Sequence, residues 1–206
     1  MSHADYIQRQ WAANAAWSAE SNFFFEALTA PEFQWFFVQA LTAIRTELYL
    51  PGVSALFNGI EASLRVTLQQ IAAEKQATFE LSPYRVLSNT LLTSAHDAGM
   101  PVGALAFPGE DNFFDRLASK KPNRVDVEVV RLRNNICHGD ILEFVQVVDG
   151  GKDAFFTPEC LRETALVLLG VSFEWAKALG DFRRACGLLH YGPTPPIPSS
   201  PLIRST

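Results

Sequence analysis

Apolar residues recur at helical intervals along most of this chain. Between residues 5 and 29, alanine, glutamine and glutamate fill a helix-compatible stretch, with Trp11, Ala15, Ser18 and Asn22 on one side and Phe23 to Phe25 near its end. Pro31 suits the first position of a second helix, where its missing N–H removes no bond. Phe33, Phe36, Phe37, Ala40, Leu41 and Ile44 then keep the helical interval. Leu50-Pro51-Gly52 reads as a break. Leu56, Ile60, Leu64, Leu68 and Ile71 follow at i+4 and i+3 steps, the most regular amphipathic stripe in the sequence.

Ser82-Pro83 predicts a cap and a helix running to about Ala98, stopped by Gly99-Met100-Pro101. Residues 102–109 read as a loop, and 110–119 as a short helix ended by Lys120-Lys121-Pro122. From Asn123 or Arg124 onward, Val125, Val129, Leu132 and Ile136 fall at i, i+4, i+7 and i+11. The alternation in 125–129 also permits a strand, but the helical stripe extends further and favours a helix to His138. Gly139 then supplies a left-handed stop. Residues 141–156 predict a small β-hairpin or an extended loop. Thr157-Pro158 caps a long last helix to about Cys186, with Leu161, Ala165, Leu168 and Leu169 on its core side. The expectation is an all-α bundle in one domain, 1–187, with a Pro/Ser-rich and disordered C-terminal tail, 188–206.

Composition changes this picture in two ways. Of the 206 residues 48% are hydrophobic and only 19% charged, with sixteen phenylalanines. That surplus predicts apolar surface buried between subunits, with a homodimer as the default assembly. The net charge of −5 argues against a broad basic surface for gripping nucleic acid, while leaving room for a local phosphate site. Cys137, Cys160 and Cys186 are odd in number and lack CxxC spacing, which fits a reducing cytoplasm and predicts neither a disulfide set nor a zinc site. No glycine-rich phosphate loop or metal-ligand set is visible, so no cofactor and no metal are expected. The polar Met1–Gln10 stretch is no signal peptide, and no apolar run reaches the roughly 20 residues that cross a bilayer. A cytoplasmic protein without membrane partners is expected.

The chemistry concentrates in Arg131-Leu132-Arg133-Asn134-Asn135-Ile136-Cys137-His138-Gly139-Asp140. Arginine holds phosphate with a rigid fork of donors, and histidine moves protons near neutral pH. At about 100° per residue, Arg131, Asn134, Asn135 and His138 fall opposite the core stripe. Arg133 stands roughly 140° from His138, at the border of the stripe, and must snorkel, pair or reach a neighbouring subunit. A solvated surface face is the plain alternative, but this stripe is amide-rich and almost free of carboxylates. Other candidates are weaker. Cys137 reads as a buried cysteine and His96-Asp97 as helix-end surface, while Glu61 is placed to support Arg65 at i+4 rather than to pair with Arg133. Lys120-Lys121 and Arg183-Arg184 either contact RNA backbone or compensate helix C-terminal dipoles.

Arg133-Asn134-Asn135-Ile136-Cys137-His138-Gly139 resembles the signature of HEPN-domain proteins: an arginine, commonly followed by a polar residue, then a histidine after about four to six residues. The resemblance implies a HEPN-like helical bundle over about residues 5–187. It further implies a metal-independent endoribonuclease of the toxin or phage-defence type, acting as a symmetric dimer. Carried over by position, Arg133 stabilises charge on the phosphate, His138 moves the proton and Asn134 orients one of them. Arg131 and Asn135 would contact substrate, and Arg131 also lies within the family's spacing as an alternative motif arginine. RNA brings its own nucleophile, the 2′-OH, so a proton acceptor and a cation suffice, with a 2′,3′-cyclic phosphate as product. A cognate antitoxin or defence-system partner is implied on the same basis. A non-catalytic HEPN-like nucleotide-binding or protein-interaction module is the second reading, and a plain helical interaction protein the third.

Overall fold

A computed structural model describes residues 3–75, 86–148, 153–189, 192–200 and 202. The chain is an all-α bundle carrying one small hairpin. In order it forms α1 (His3–Leu28), α2 (Gln34–Arg45), α3 (Tyr49–Glu74), α4 (Asn89–Asp97), α5 (Phe113–Ala118), α6 (Glu128–His138), β1 (Gln146–Val148), β2 (Asp153–Phe155) and α7 (Arg162–Ala185). The two strands pair antiparallel, Val147 opposite Ala154. No helix among the described residues is long and apolar enough to cross a membrane.

The core is where the regular stripes meet. Leu56, Ile60, Leu64 and Leu68 of α3 are buried, as are Ala165, Leu168 and Leu169 of α7. Phe24 of α1 stacks on Phe37 of α2 at 5.4 Å and on Phe173 of α7 at 4.7 Å, joining three helices through one ring. Trp175 donates its indole N–H to Ser63 Oγ at 2.9 Å across the buried α3–α7 contact. A Cβ at Gly180 would lie 2.3 Å from the Ala27 carbonyl oxygen, so α1 and α7 approach over a position with no side chain.

Several boundaries differ from the sequence-based expectations. Leu50-Pro51-Gly52 is no break: all three residues lie in the opening turns of α3. Pro51 sits where the backbone N–H has no intrahelical acceptor, so it costs no bond. Gly52 serves close packing, since a Cβ there would meet Ile44 Cγ1 at 2.6 Å. The real reversal is Thr46–Leu48, with Glu47 in the left-handed region at φ 61°. Pro31 precedes α2 in a turn rather than opening it, and Val102–Leu105 forms a 3-10 turn within the expected loop. The Ser82-Pro83 cap falls outside the described residues; the described α4 is capped by Ser88, which accepts from the Leu91 N–H at 3.3 Å. Thr157 caps the 3-10 turn Pro158–Leu161 that leads into α7, as its sequence signals.

Two regions extend from the bundle. Residues 5–19 of α1 are exposed except for half-buried Ala16, and Trp11 keeps 73% of its accessible surface. Residues 192–200, within the segment expected to be a disordered tail, run extended over the bundle. Arg184 donates to Gly192 O at 2.6 Å and Thr194 Oγ1 at 2.7 Å, and Ile197 packs against the core. Arg184 also holds the Glu26 and Ala27 carbonyls, and Arg183 is 2% exposed over the Phe33 ring. Both arginines lie in the last turn of α7, where dipole compensation places them, and both also pack against neighbouring elements; buried Arg183 is not placed to contact RNA backbone.

Gly180→Ala forces a methyl into the Ala27 carbonyl. We expect a loss of about 1–3 kcal/mol of unfolding free energy, measured by urea titration.

Candidate functional site

Helix α6 begins later than its apolar pattern predicts. Val125 is 50% exposed, residues 125–127 lie outside the helix and Val127 is extended, so the helix starts at Glu128 rather than near Asn123. The buried face is Val129, Val130, Leu132 and Ile136. Val125 matches the helical interval but is held outside by its backbone: Asn89, itself buried, accepts from the Val127 N–H at 3.1 Å and donates to Val125 O at 2.9 Å and Arg116 O at 3.1 Å. Those bonds use the polar backbone in an extended conformation that a helix would not allow.

The start of α6 is fixed by a buried carboxylate. Glu110 accepts the Glu128 N–H at 2.8 Å, the Phe107 N–H at 3.2 Å and the Arg116 guanidinium at 2.8 Å. An acceptor at a helix N-terminus satisfies a donor that the helix itself cannot. The far end closes on Gly139 at φ 75°, with the Asp140 N–H donating to Asn135 O at 2.8 Å in a Schellman arrangement.

The motif's polar residues separate into two groups. Arg131 is clamped between carboxylates: Glu128 accepts from its Nε at 3.0 Å and its Nη2 at 2.6 Å, and Glu143 accepts from its Nη1. Asn135, one turn on, donates to the same Glu143 at 3.1 Å. Arg133 and Asn134 face the other way. Arg133 Nη1 donates to Asn134 Oδ1 at 3.2 Å, and Asn134 Nδ2 reaches Asp126 Oδ2 at 3.5 Å. Asp126 also takes the Arg124 Nε at 3.2 Å. Among the described residues no carboxylate pairs directly with Arg133. His138 is exposed at the end of the helix, and no bond within the chain ties it to Arg133.

These contacts divide the expected site residues by role. Arg131 and Asn135, expected to contact substrate, are committed to carboxylates on their own chain. Arg133 is bonded to the neutral amide of Asn134 and, among the described residues, to no carboxylate. Cys137, expected to be buried, is exposed, because the last turn of α6 passes the edge of the core and only Ile136 stays covered. Glu61 accepts the Leu87 N–H at 2.7 Å and lies 3.9 Å from Arg65, as its i+4 spacing suggests. Sequence reasoning missed Glu110, Asn89, Arg116 and Glu143, which hold the motif helix from distant positions. Glu128 was within reach of it, three residues before Arg131.

The clamp also sets the local electrostatics. The Arg131 hydrogen bond, opposed by burial and assisted by the charges of Arg131 and Arg116, holds the Glu128 carboxyl below its ordinary value of 4.5. The Glu128 bond pushes Arg131 further up, against burial and with help from Glu143. Groups of three or more histidine, cysteine, aspartate or glutamate residues able to hold a metal are absent among the described residues. Comparison with protein-family models, with curated proteins and with solved structures gives no match for this chain.

Because the folded Glu128 value lies below the unfolded one, the stability it adds is complete above about pH 4.5. It is lost as the pH falls through the lowered folded value. Arg131→Met removes most of that difference. We expect its stability to fall less steeply than wild type between about pH 5 and pH 3, as read by thermal unfolding across that range.

Proposed function

We propose that this chain is a metal-independent endoribonuclease of the HEPN toxin or defence type, working as a homodimer. The observation that carries the reading is the contrast between the two arginines. Arg131 is ion-paired with Glu128 and Glu143, whereas Arg133 is bonded to the Asn134 amide and to no carboxylate among the described residues, in the Arg-Asn order of the motif, with His138 exposed five residues on. Arg133 is the motif arginine, and Arg131 is a brace that holds α6 against the turn containing Glu143.

Chemically, His138 accepts the proton of the RNA 2′-OH as that oxygen attacks the adjacent phosphorus. The 5′-oxygen leaves, giving a 2′,3′-cyclic phosphate and a 5′-hydroxyl end. Arg133 stabilises the charge that builds on the non-bridging oxygens, and Asn134 fixes the guanidinium. Arg133 and His138 point about 140° apart on one helix, so a second copy of α6 brings the pair onto one phosphodiester. The exposed Tyr6, Ile7, Trp11 and Trp17 of α1 supply apolar surface for self-association. The RNA target and any antitoxin or defence partner belong to the same proposal.

RNA cleavage is to be assayed in excess EDTA. Wild type is expected to cleave, His138→Ala and Arg133→Ala to lose about a hundredfold or more, and Arg131→Ala to keep most of the rate at a temperature where it remains folded. Equal rates for wild type, His138→Ala and Arg133→Ala would sink the nuclease. Mixing His138→Ala with Arg133→Ala tests the shared site. Recovered cleavage marks Arg133 and His138 as contributed by different subunits, and no recovery places them on one chain. In sedimentation the wild type is expected at twice the monomer mass; a monomer at assay concentration contradicts the dimeric site.

If no cleavage is found, the second reading is a nucleotide-binding or interaction module. It is favoured by one feature, that among the described residues no hydrogen bond joins Arg133 to His138. Binding of RNA that requires Arg133 but is not followed by cleavage would distinguish it.

A further inference from the structure

A large cavity lies between α4, α5 and the segment that follows α5. It measures about 720 Å³, within the roughly 300–1,000 Å³ usual for small-ligand sites. Lys120, Lys121 and Arg124 line it, against the single carboxylate of Asp97. On a chain of net charge −5 this is a local reversal of sign. Arg124 is engaged by Asp126 through Nε and lines the groove.

An aromatic platform stands in the same groove. Phe114 is half exposed, yet its ring is held from three sides. Buried Phe113 meets it edge-on at 5.3 Å, His96 lies 5.4 Å away, and the Gly103 backbone is so close that a Cβ there would fall 3.1 Å from Phe114 Cζ. An exposed ring fixed in this way suits base stacking, and every base offers a face to it. Cations beside a stacking ring are the combination that single-stranded nucleic acid requires, phosphates on one and bases on the other.

The groove is also joined to the motif. Arg124 contacts Asp126, Asp126 contacts Asn134, and Asn134 contacts Arg133, at 3.2, 3.5 and 3.2 Å. We propose that this groove is a subsite for single-stranded RNA, which stacks a base on Phe114, holds flanking phosphates with Lys120, Lys121 and Arg124, and leads the strand towards Arg133. The assignment rests on the ribonuclease reading for its choice of RNA, and the groove itself is independent of the chemistry at His138.

The test uses the full wild-type chain and a fluorescent single-stranded decanucleotide with 2′-O-methyl groups, which cannot be cleaved by 2′-OH attack. Anisotropy should show binding that Phe114→Ala weakens at least about fivefold. Lys120→Ala/Lys121→Ala should weaken it and reduce the slope of log affinity on log salt by about 1.4. Lys177→Ala, an exposed lysine paired with Asp181 on α7, should bind as wild type. Circular dichroism confirms that each variant is folded. No binding by wild type overturns the subsite. So does a loss confined to the lysine variants, which would mark simple charge attraction, of the kind an acidic peptide would share. Cleavage that depends on His138 together with normal binding by all groove variants removes the subsite and leaves the nuclease. Groove-dependent binding without metal-free cleavage supports the subsite and removes the nuclease.

Discussion

The Glu110 carboxylate is the point on which the candidate site depends. It lies buried between the 3-10 turn at Val102–Leu105, α5 and α6, and it takes donors from all three neighbourhoods: the Phe107 N–H, the Arg116 guanidinium and the first N–H of α6. A carboxylate removed from water needs such partners to remain charged. Those donors simultaneously fix where α6 begins. Once the start is fixed, helix geometry sets the direction of every residue from Arg131 to His138. A shift of one residue in the register of α6 would turn its side chains by about 100° and carry Asn134 away from Asp126.

The core supports this from the other side. Phe24, Phe37 and Phe173 lock α1, α2 and α7 together, and the α3 stripe closes the bundle beneath α6. The motif helix is short and polar on most of its surface, so its own burial is limited to four residues. Its position is held mainly by charged and amide side chains from elsewhere. That makes the site a rigid polar lattice mounted on an apolar frame, with the exposed histidine at its end.

The same lattice explains why two arginines so close in sequence differ in role. Arg131 falls on the face that meets the turn containing Glu143, and two carboxylates claim it. Arg133 lies towards the edge where Asn134 and Asp126 are found, and the Asn134 amide bonds to both. The Arg-Asn dipeptide of the motif thus has a physical reading, in which the amide steadies the cation without cancelling its charge. The Arg124–Asp126 pair continues this line of contacts to the rim of the basic groove.

Local pattern in the sequence determined the all-α class, the amphipathic third helix and the caps at Gly139 and Thr157, because each depends on neighbours within a few residues; it left the segment after the motif open between a hairpin and an extended loop, and the pairing of β1 with β2 decided it. The helical wheel grouped Arg131, Asn134, Asn135 and His138 on one face, and the resemblance of the motif added Arg133. Local pattern misread Pro51-Gly52, since a proline in a first turn and a glycine beneath a crossing helix look like a break until the partner helix is known. It extended α6 back to Val125, where apolar spacing continued but Asn89, thirty-six residues away, held the backbone extended. Only the tertiary structure decided which arginine is ion-paired, that Arg183 is buried and Cys137 exposed, and that Phe114 stands with three cations in one groove. Those outcomes depend on contacts between residues far apart in the chain, and local pattern carries no record of them.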